Sequence, residues 1–289
     1  MHNVIYLNKT MVDATKARVA PVSSAMLYGR GVFTTLAIHN SRPFLWPKHW
    51  ARLVEHAAKL DIELEGLNEK NVFEALKKLI VVNQVERGRA RIILLARHGR
   101  DIWKTKQQGG PKTDLLILTG DPQLVRAEGL SLAVSPYRVN TFSALTGVKS
   151  LNYLEQVLAW EEAQARDFDE AVMLNERGEI VSATMANIFW VKDGTVHTPS
   201  LGSGAIAGVT RGAVIELAEK HFIPLIEGVY EMADLTEADE IFLASASLGI
   251  ATITTFDFRR YSITVGSVTD RLKSSFQQLT SALTSAFDA

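Results

Sequence analysis

Strand-like and helix-like segments follow one another irregularly along this 289-residue chain, and that order limits the folds it can adopt. Short apolar runs separated by turn residues fill the first third and predict antiparallel strands. Apolar residues at helical spacing follow Pro47 and return near 151–166, 208–220 and 268–287. The regular strand–helix alternation of a Rossmann sheet or a TIM barrel is missing. We therefore predict an α+β protein of two domains with mostly antiparallel sheets.

The domain boundaries are predicted from a break near residue 120. Asp121-Pro122-Gln123 interrupts the pattern after a strand, and strand character resumes at LSLAVSPYRV. We predict a smaller first domain at 1–120, a linker at 121–127 and a larger second domain at 128–289. The predicted strands are 4–8, 31–38, 43–46, 90–97, 113–119, 130–139, 170–181, 187–198, 240–245 and 251–256, and the remaining predicted helices are 47–60 and 68–84.

Composition excludes several kinds of chemistry. The chain contains no cysteine, which removes disulfides, zinc–thiolate sites and thiol nucleophiles and suits a reducing compartment, so we expect a cytoplasmic protein. Lys and Arg number 31 against 32 Asp and Glu, a balance too neutral to gather nucleic acid or anionic lipid by bulk charge. No apolar run approaches the roughly 20 residues of a membrane span, and no metal motif is recognisable. Local groups must therefore bind any anion.

Three features are candidates for local chemistry. Lys149 precedes a helix rich in apolar residues, where desolvation would lower its pKa and make its amine a nucleophile toward aldehydes. Arg52, in the first predicted helix, could hold a phosphate through two parallel hydrogen bonds. The segment GVTR at 208–211 opens a helix, whose free backbone N–H groups favour an anion. Each has an ordinary alternative, namely a solvated lysine, a surface arginine and a simple helix cap.

In their order along the chain, these features resemble the class IV (fold type IV) pyridoxal-phosphate enzymes. The order is an arginine in a first-domain helix, Lys-x-Leu-Asn-x-Leu at 149–154, Ala-Asn-Ile-Phe at 186–189 and Gly-Val-Thr-Arg at 208–211. The family includes 4-amino-4-deoxychorismate lyases and D-amino-acid and branched-chain aminotransferases. The resemblance extends from 28–35 to 242–250 and implies a homodimeric two-domain enzyme with pyridoxal 5'-phosphate between its domains.

The resemblance also implies roles for particular residues. Lys149 corresponds to the Schiff-base lysine, which would also move the substrate's α-proton, and Arg52 corresponds to the residue that holds the cofactor phosphate. The other residues implied to bind cofactor are Tyr153, Ser182, Asn187, Val209, Thr210, Ser245, Ala246 and Ser247, and those implied to bind substrate are Phe33, Thr35, Arg97 and Arg100. Both arginines have the alternative of lying in water, and no metal is implied.

Ser182 departs from the family pattern. Most members place a glutamate five residues before the asparagine, where it keeps the pyridine nitrogen of the cofactor protonated. Here that position is Ser182, and Glu179, the nearest acid in sequence, is predicted on the opposite face of the strand. Either the strand is locally shifted or a hydroxyl meets the nitrogen. A weaker electron sink should slow transamination more than it slows an elimination with an aromatic product.

These departures favour a lyase. Phe33-Thr34-Thr35 and the run LNYLEQVL also resemble aminodeoxychorismate lyases, so we expect conversion of 4-amino-4-deoxychorismate to 4-aminobenzoate and pyruvate. The alternative is a class IV aminotransferase acting on D-amino acids, branched-chain amino acids or (R)-amines. A third hypothesis is a degenerate relative that binds no cofactor, and Ser182 is the feature that permits it.

Overall fold

The computed structural model describes residues 1–97, 112–124, 128–257 and 259–285. The chain forms two compact units, of which the first comprises residues 1–123, 148–152 and 282–289 and the second comprises 124–147 and 153–281. The five-residue segment that contains Lys149 thus belongs to the first unit. The boundaries predicted from the sequence, at 1–120, 121–127 and 128–289, stay a prediction.

A six-stranded antiparallel sheet forms the centre of the first unit. Its strands are β1 (Val4–Leu7), β2 (Thr10–Asp13), β3 (Gly31–His39), β4 (Arg42–Pro43), β5 (Gly88–Ala96) and β6 (Thr113–Gly120). Their spatial order is β2-β1-β6-β5-β3-β4. Strand β5 pairs with β3 and β6 along almost its whole length. Its alternate residues Ala90, Ile92 and Leu94 are therefore fully buried.

Among the described residues of 1–123, three helices accompany this sheet: α1 (Ser24–Tyr28), α2 (Trp46–Lys59) and α3 (Glu69–Val82). Helix α2 begins one residue earlier than predicted, and the strand predicted at 43–46 ends at Pro43. The reason is Leu45, whose φ of 53° turns the chain into the helix. Residues spaced three or four apart on α2 then share one face, and Leu53 on that face enters the core. This face also contains His49, Arg52 and His56.

The second unit contains a nine-stranded mixed sheet. Its strands are β7 (Leu130–Val139), β8 (Glu170–Asn175), β9 (Ile180–Ala183), β10 (Asn187–Lys192), β11 (Thr195–Pro199), β12 (Leu225–Gly228), β13 (Glu240–Ser245), β14 (Gly249–Phe256) and β15 (Arg259–Arg260). Their order is β12-β11-β10-β13-β14-β7-β8-β9, and β15 pairs with β14. Only the pairs β11–β12, β7–β14 and β7–β8 are parallel among the described strands. Together the two sheets confirm the predicted α+β class with mostly antiparallel strands.

The remaining helices are α4 (Leu154–Ala165), α5 (Val209–Lys220), α6 (Met232–Thr236) and α7 (Val268–Thr284). Aromatic stacking contributes to the core of the second unit, because the paired residues Phe189 and Phe242 place their ring centroids 5.0 Å apart at an interplanar angle of 4°. Within the described ranges no helix combines the length and apolar character needed to cross a membrane.

Candidate active site

Main-chain hydrogen bonds hold Lys149 against β3 in the first unit. Phe33 N donates to Lys149 O at 3.0 Å, and Leu151 N donates to Gly31 O at 2.9 Å. A Cβ atom at Gly31 would lie 2.4 Å from Leu151 Cδ1, so glycine permits this close approach. From the other side, Lys149 N donates to His56 Nδ1 at 3.0 Å. The backbone from which Lys149 Nζ extends is therefore held by both β3 and α2.

The amine of Lys149 lies among other cations. Lys149 Nζ and the guanidinium carbon of Arg91 are each 4.6 Å from the centroid of the Phe33 ring, and Arg91 Nε donates to Thr35 Oγ1 at 3.1 Å. The pKa of Lys149 is lowered to about 7, mainly by burial and to a smaller extent by the charges of Arg52 and Arg91. A large fraction of this amine is therefore neutral, and nucleophilic, near neutral pH.

A buried hydroxyl joins Arg52 to a histidine. Arg52 Nη2 donates to Thr34 Oγ1 at 2.9 Å, and Thr34 Oγ1 lies 2.7 Å from His49 Nδ1. Burial, followed by the charges of Arg52 and Lys149, lowers the pKa of His49 to about 3, so its ring is neutral. The Thr34 hydroxyl can then donate its proton to His49 Nδ1 while it accepts from Arg52. This arrangement fixes the position of the Arg52 guanidinium.

Four residues of this cluster, Thr34, His49, His56 and Arg91, were not selected from the sequence as site residues. The spacing of His49, Arg52 and His56 on one helical face was a usable signal. Arg91 gave none, because its position beside Thr35 depends on the pairing of β3 with β5, which the pattern of either strand alone does not reveal.

Two arginines were predicted to bind substrate carboxylates. Arg97 Nε donates to Asp114 Oδ1 at 2.5 Å, and the buried Asp114 also accepts a hydrogen bond from Asn8 Nδ2 at 2.5 Å. The guanidinium of Arg97 is thus engaged in an ion pair at the end of β5. Arg100 lies outside the described residues, and the roles of both stay predictions.

In the second unit, Asn187 and the start of α5 lie side by side. Asn187 Nδ2 donates to Ile206 O at 3.0 Å, and a Cβ atom at Gly208 would lie only 2.1 Å from Asn187 Oδ1. No side chain caps α5 at Gly208, and the first main-chain bond of the helix is Gly212 N to Gly208 O. The N–H groups of 209–211 donate to no other described residue. They form a helix end that is suited to an anion and includes Val209 and Thr210, whose role in binding the cofactor stays a prediction.

The acids around Ser182 are committed to other partners. A register irregularity between Met173 and Leu174 on β8 interrupts the alternation opposite β9, and the predicted placement of Glu179 had relied on that alternation. Glu179 pairs instead with Arg177 Nη2 at 2.6 Å and accepts from Asn175 Nδ2 at 2.7 Å. The side chain of Ser182 forms no hydrogen bond to the described residues.

Glu170 is a buried acid that sequence reasoning missed. Its carboxyl accepts from Thr184 N at 3.0 Å, from Thr184 Oγ1 and from Met185 N at 3.2 Å. Burial raises its pKa to about 7, against the opposing effect of these hydrogen bonds. Glu170 therefore holds the turn between β9 and β10, which separates Ser182 from Asn187.

The other predicted residues of the second unit lie in two places. Tyr153 is the residue before the first turn of α4. Ser245 ends β13, and Ala246 and Ser247 belong to the tight connection to β14, where Ser245 Oγ accepts from Leu248 N at 3.2 Å. The candidate site residues that the sequence predicts in this unit thus lie in four separate segments, at Tyr153, at Ser182 with Asn187, at 209–210 and at 245–247, and their roles stay predictions.

Comparison with known proteins identifies the family. The sequence model of the class IV amino-transferase family matches residues 31–256. A Methanocaldococcus jannaschii protein with a provisional branched-chain-amino-acid aminotransferase name is 31% identical over 95% of this chain and 96% of its own. The Bacillus subtilis aminodeoxychorismate lyase is 30% identical over 93% and 92%. The Escherichia coli branched-chain amino acid aminotransferase has a TM-score of 0.88, 27% identity and coverage of 100% and 98%.

The chain belongs to the class IV amino-transferase family. Its fold is fold type IV, and it is a pyridoxal-phosphate-dependent enzyme. These findings confirm the family, fold, enzyme and cofactor that the sequence predicted. In each unit the residues present fit one chemical group of the cofactor. The first offers a buried amine whose pKa is about 7, suited to an aldehyde, and the second offers three N–H groups at the start of α5, suited to a phosphate.

Proposed function

We propose that this enzyme is a lyase that converts 4-amino-4-deoxychorismate to 4-aminobenzoate and pyruvate. The proposal rests on what surrounds Ser182, the position at which most of the family has a glutamate. Glu179 is held by Arg177 and Asn175, and Glu170 is held by the turn after β9. Neither acid is left to keep the cofactor's ring nitrogen protonated. An elimination that gains aromaticity depends least on that proton.

The Lys149 amine would perform the proton transfers. Bound pyridoxal phosphate supplies an aldehyde that takes up amino groups and a ring that withdraws electrons. With a pKa of about 7, Lys149 Nζ can accept the proton from the ring carbon that bears the substrate's amino group. Departure of enolpyruvate from the neighbouring carbon then completes the aromatic ring. The same amine can return its proton to the methylene carbon of enolpyruvate, which gives pyruvate.

Arg91 is the residue that we propose for recognition of a substrate carboxylate. Its guanidinium lies over Phe33, as Lys149 Nζ does, and its Nε contacts Thr35. Arg97, in contrast, is paired with Asp114. Phe33 and Thr35, two of the four residues predicted from the sequence to bind substrate, thus gain a cation suited to an anionic substrate. We propose in the second unit that Asn187, Val209 and Thr210 bind the cofactor.

An aminotransferase is the second candidate function. It is favoured by the relatives named as branched-chain and D-alanine aminotransferases, which are 31% and 27% identical to this chain. The Lys149 cluster does not distinguish the two reactions, because both begin with transfer of a proton from the carbon next to the amino group. Only the fate of the electrons released there differs.

Product identification tests the proposal. Purified enzyme with added pyridoxal phosphate is incubated with 4-amino-4-deoxychorismate, and in parallel with branched-chain L-amino acids, D-alanine or (R)-amines plus 2-oxoglutarate or pyruvate. We expect 4-aminobenzoate and pyruvate in equal amounts, and slow amino transfer. Rapid transfer without 4-aminobenzoate would refute the lyase assignment and support the aminotransferase. Ser182→Glu should increase the ratio of transfer to elimination, and an unchanged ratio would count against the role given to Ser182.

We also propose that the enzyme is a cytoplasmic homodimer. Apolar side chains at 19–28 of the first unit are exposed, with Met26 60%, Val22 51% and Leu27 45% accessible, and such clusters mark surfaces that bind another protein chain. Sedimentation velocity of the wild type and of Met26→Glu should give a dimer and a weakened dimer. A monomeric wild type would refute the assembly. The absence of cysteine supports the cytoplasmic location, because that compartment is reducing.

A further inference from the structure

We propose that His56 is a positioning residue for Lys149 and holds the lysine's main chain through its Nδ1 atom. Lys149 N lies 3.0 Å from His56 Nδ1. A main-chain N–H can only donate, so Nδ1 must be the unprotonated acceptor and the ring must carry its proton on Nε2. This inference rests on the proposed role of Lys149 in the reaction. It adds a residue from α2 whose chemical state governs the placement of the amine.

Burial and the nearby positive charges keep the ring of His56 neutral, and four charged groups face it. From its own helix these are Arg52, Glu55 and Lys59, and from the 148–152 segment the group is Lys149. Burial, followed by the charges of Arg52 and Lys59, lowers the pKa of His56 to about 4, although Glu55 opposes this effect. Part of the charge of Lys59 is balanced by Glu55, since their charged atoms are 2.7 Å apart. The ring therefore stays a hydrogen-bond acceptor throughout the neutral range.

The hydrogen bond acts on the amine because it completes the restraint of the Lys149 main chain. Phe33 N, on β3, already donates to Lys149 O. His56 Nδ1, on α2, accepts from Lys149 N. Loss of the acceptor would leave a main-chain N–H without its partner and allow residue 149 to turn. Lys149 Nζ would then leave its position over the Phe33 ring. Better solvation there would raise the amine's pKa toward its ordinary value.

Two substitutions of similar polarity separate positioning from general stability. His56→Asn keeps an acceptor, Oδ1, bonded to the same Cγ atom as Nδ1, whereas His56→Gln moves its amide one carbon farther out. We expect the Asn variant to retain the wild-type kcat and the wild-type pH midpoint of the bound cofactor's absorbance. We expect the Gln variant to lose about tenfold in kcat, the value of one hydrogen bond. Its absorbance midpoint should move to higher pH.

The outcomes are read on the holoenzyme with thermal melts in parallel. A folded Gln variant with the wild-type kcat and absorbance midpoint would overturn the inference. If the Gln variant does not fold, the wild type and the Asn variant are compared between pH 3.5 and 6. The wild type should lose its cofactor absorbance near pH 4, where His56 protonates, and the Asn variant should keep it. Equal losses would overturn the inference. Borohydride labelling that persists in Lys149→Ala would instead refute the role of Lys149, whatever the His56 variants do.

Discussion

The groups whose pKa burial shifts most are bases in the first unit and an acid in the second. Burial lowers the pKa of His49 to about 3, of His56 to about 4 and of Lys149 to about 7. Burial raises the pKa of Glu170 to about 7. Each unit thus favours the neutral form of these groups. In the first unit this neutrality makes an amine reactive, whereas in the second the carboxyl accepts hydrogen bonds that hold a turn in place.

The two units consequently respond to pH in opposite directions. A base whose pKa is lower in the folded protein costs stability as pH falls below its ordinary value, so the two histidines destabilise the first unit from about pH 6.5 downward. An acid whose pKa is raised costs stability as pH rises from about 4.5 through 7, so Glu170 destabilises the second unit in that window. The difference shows that burial alone does not set the pH response, since the sign depends on the kind of group buried.

The largest loss of activity is expected from Lys149→Ala, which removes the reactive base of the first unit. Turnover should fall at least about a thousandfold, because no other group supplies the covalent attachment and the proton transfer together. The purified variant should melt as a folded protein and should show no borohydride-stable cofactor adduct. Activity near the wild-type value would show that Lys149 is not the reactive amine.

Gly208→Ala tests the second unit at the start of α5. The new Cβ atom would lie 2.1 Å from Asn187 Oδ1, so Asn187 or the helix must shift, at a cost of roughly 1–3 kcal/mol. Cofactor affinity should fall with stability, and both are measurable by titration of the apoenzyme and by denaturant unfolding. Gly212→Ala in the same helix is the matched control, because nothing lies within 4 Å of its Cβ position. That variant should be more stable by about 0.5–1 kcal/mol. Equal behaviour of the two would contradict the close contact.

The sequence predicted the fold and the family better than it predicted the contacts inside the candidate site. Helical spacing after Pro47 anticipated α2, and the motifs around Lys149 and Asn187 anticipated the family. Periodicity could not show that residues 148–152 join the first unit, because main-chain bonds to β3 depend on contacts more than 100 residues apart. For the same reason the Glu170 turn was missed: its carboxyl meets Thr184, 14 residues later. Local pattern carries no information on such pairs.

Arg91→Met tests whether charge, in addition to burial, sets the state of the first-unit amine. Removal of the guanidinium over Phe33 should raise the pKa of Lys149, since the charge of Arg91 helps to lower it. The pH profile of kcat/KM should shift to higher pH, and kcat/KM for an anionic substrate should fall about tenfold. Arg89→Met, two residues earlier on the same exposed side of β5, is the matched control. A shift of equal size in both variants would show that Arg91 has no specific effect on the pKa of Lys149.

Glu170→Gln should change activity least, and it tests the acid side of the comparison. Glutamine resembles the protonated carboxyl in shape and charge, so the variant should match the wild type near pH 5 and at fixed pH should turn over at a similar rate. Between pH 4.5 and 7 the wild type should lose stability, by at most about 1.4 kcal/mol for each pH unit, while the variant stays level in this window. Denaturant unfolding at several pH values measures the two slopes. Parallel slopes would show that Glu170 ionises as readily in the folded chain as in the unfolded one, and the contrast between the two units would then rest on the histidines and lysine of the first unit alone.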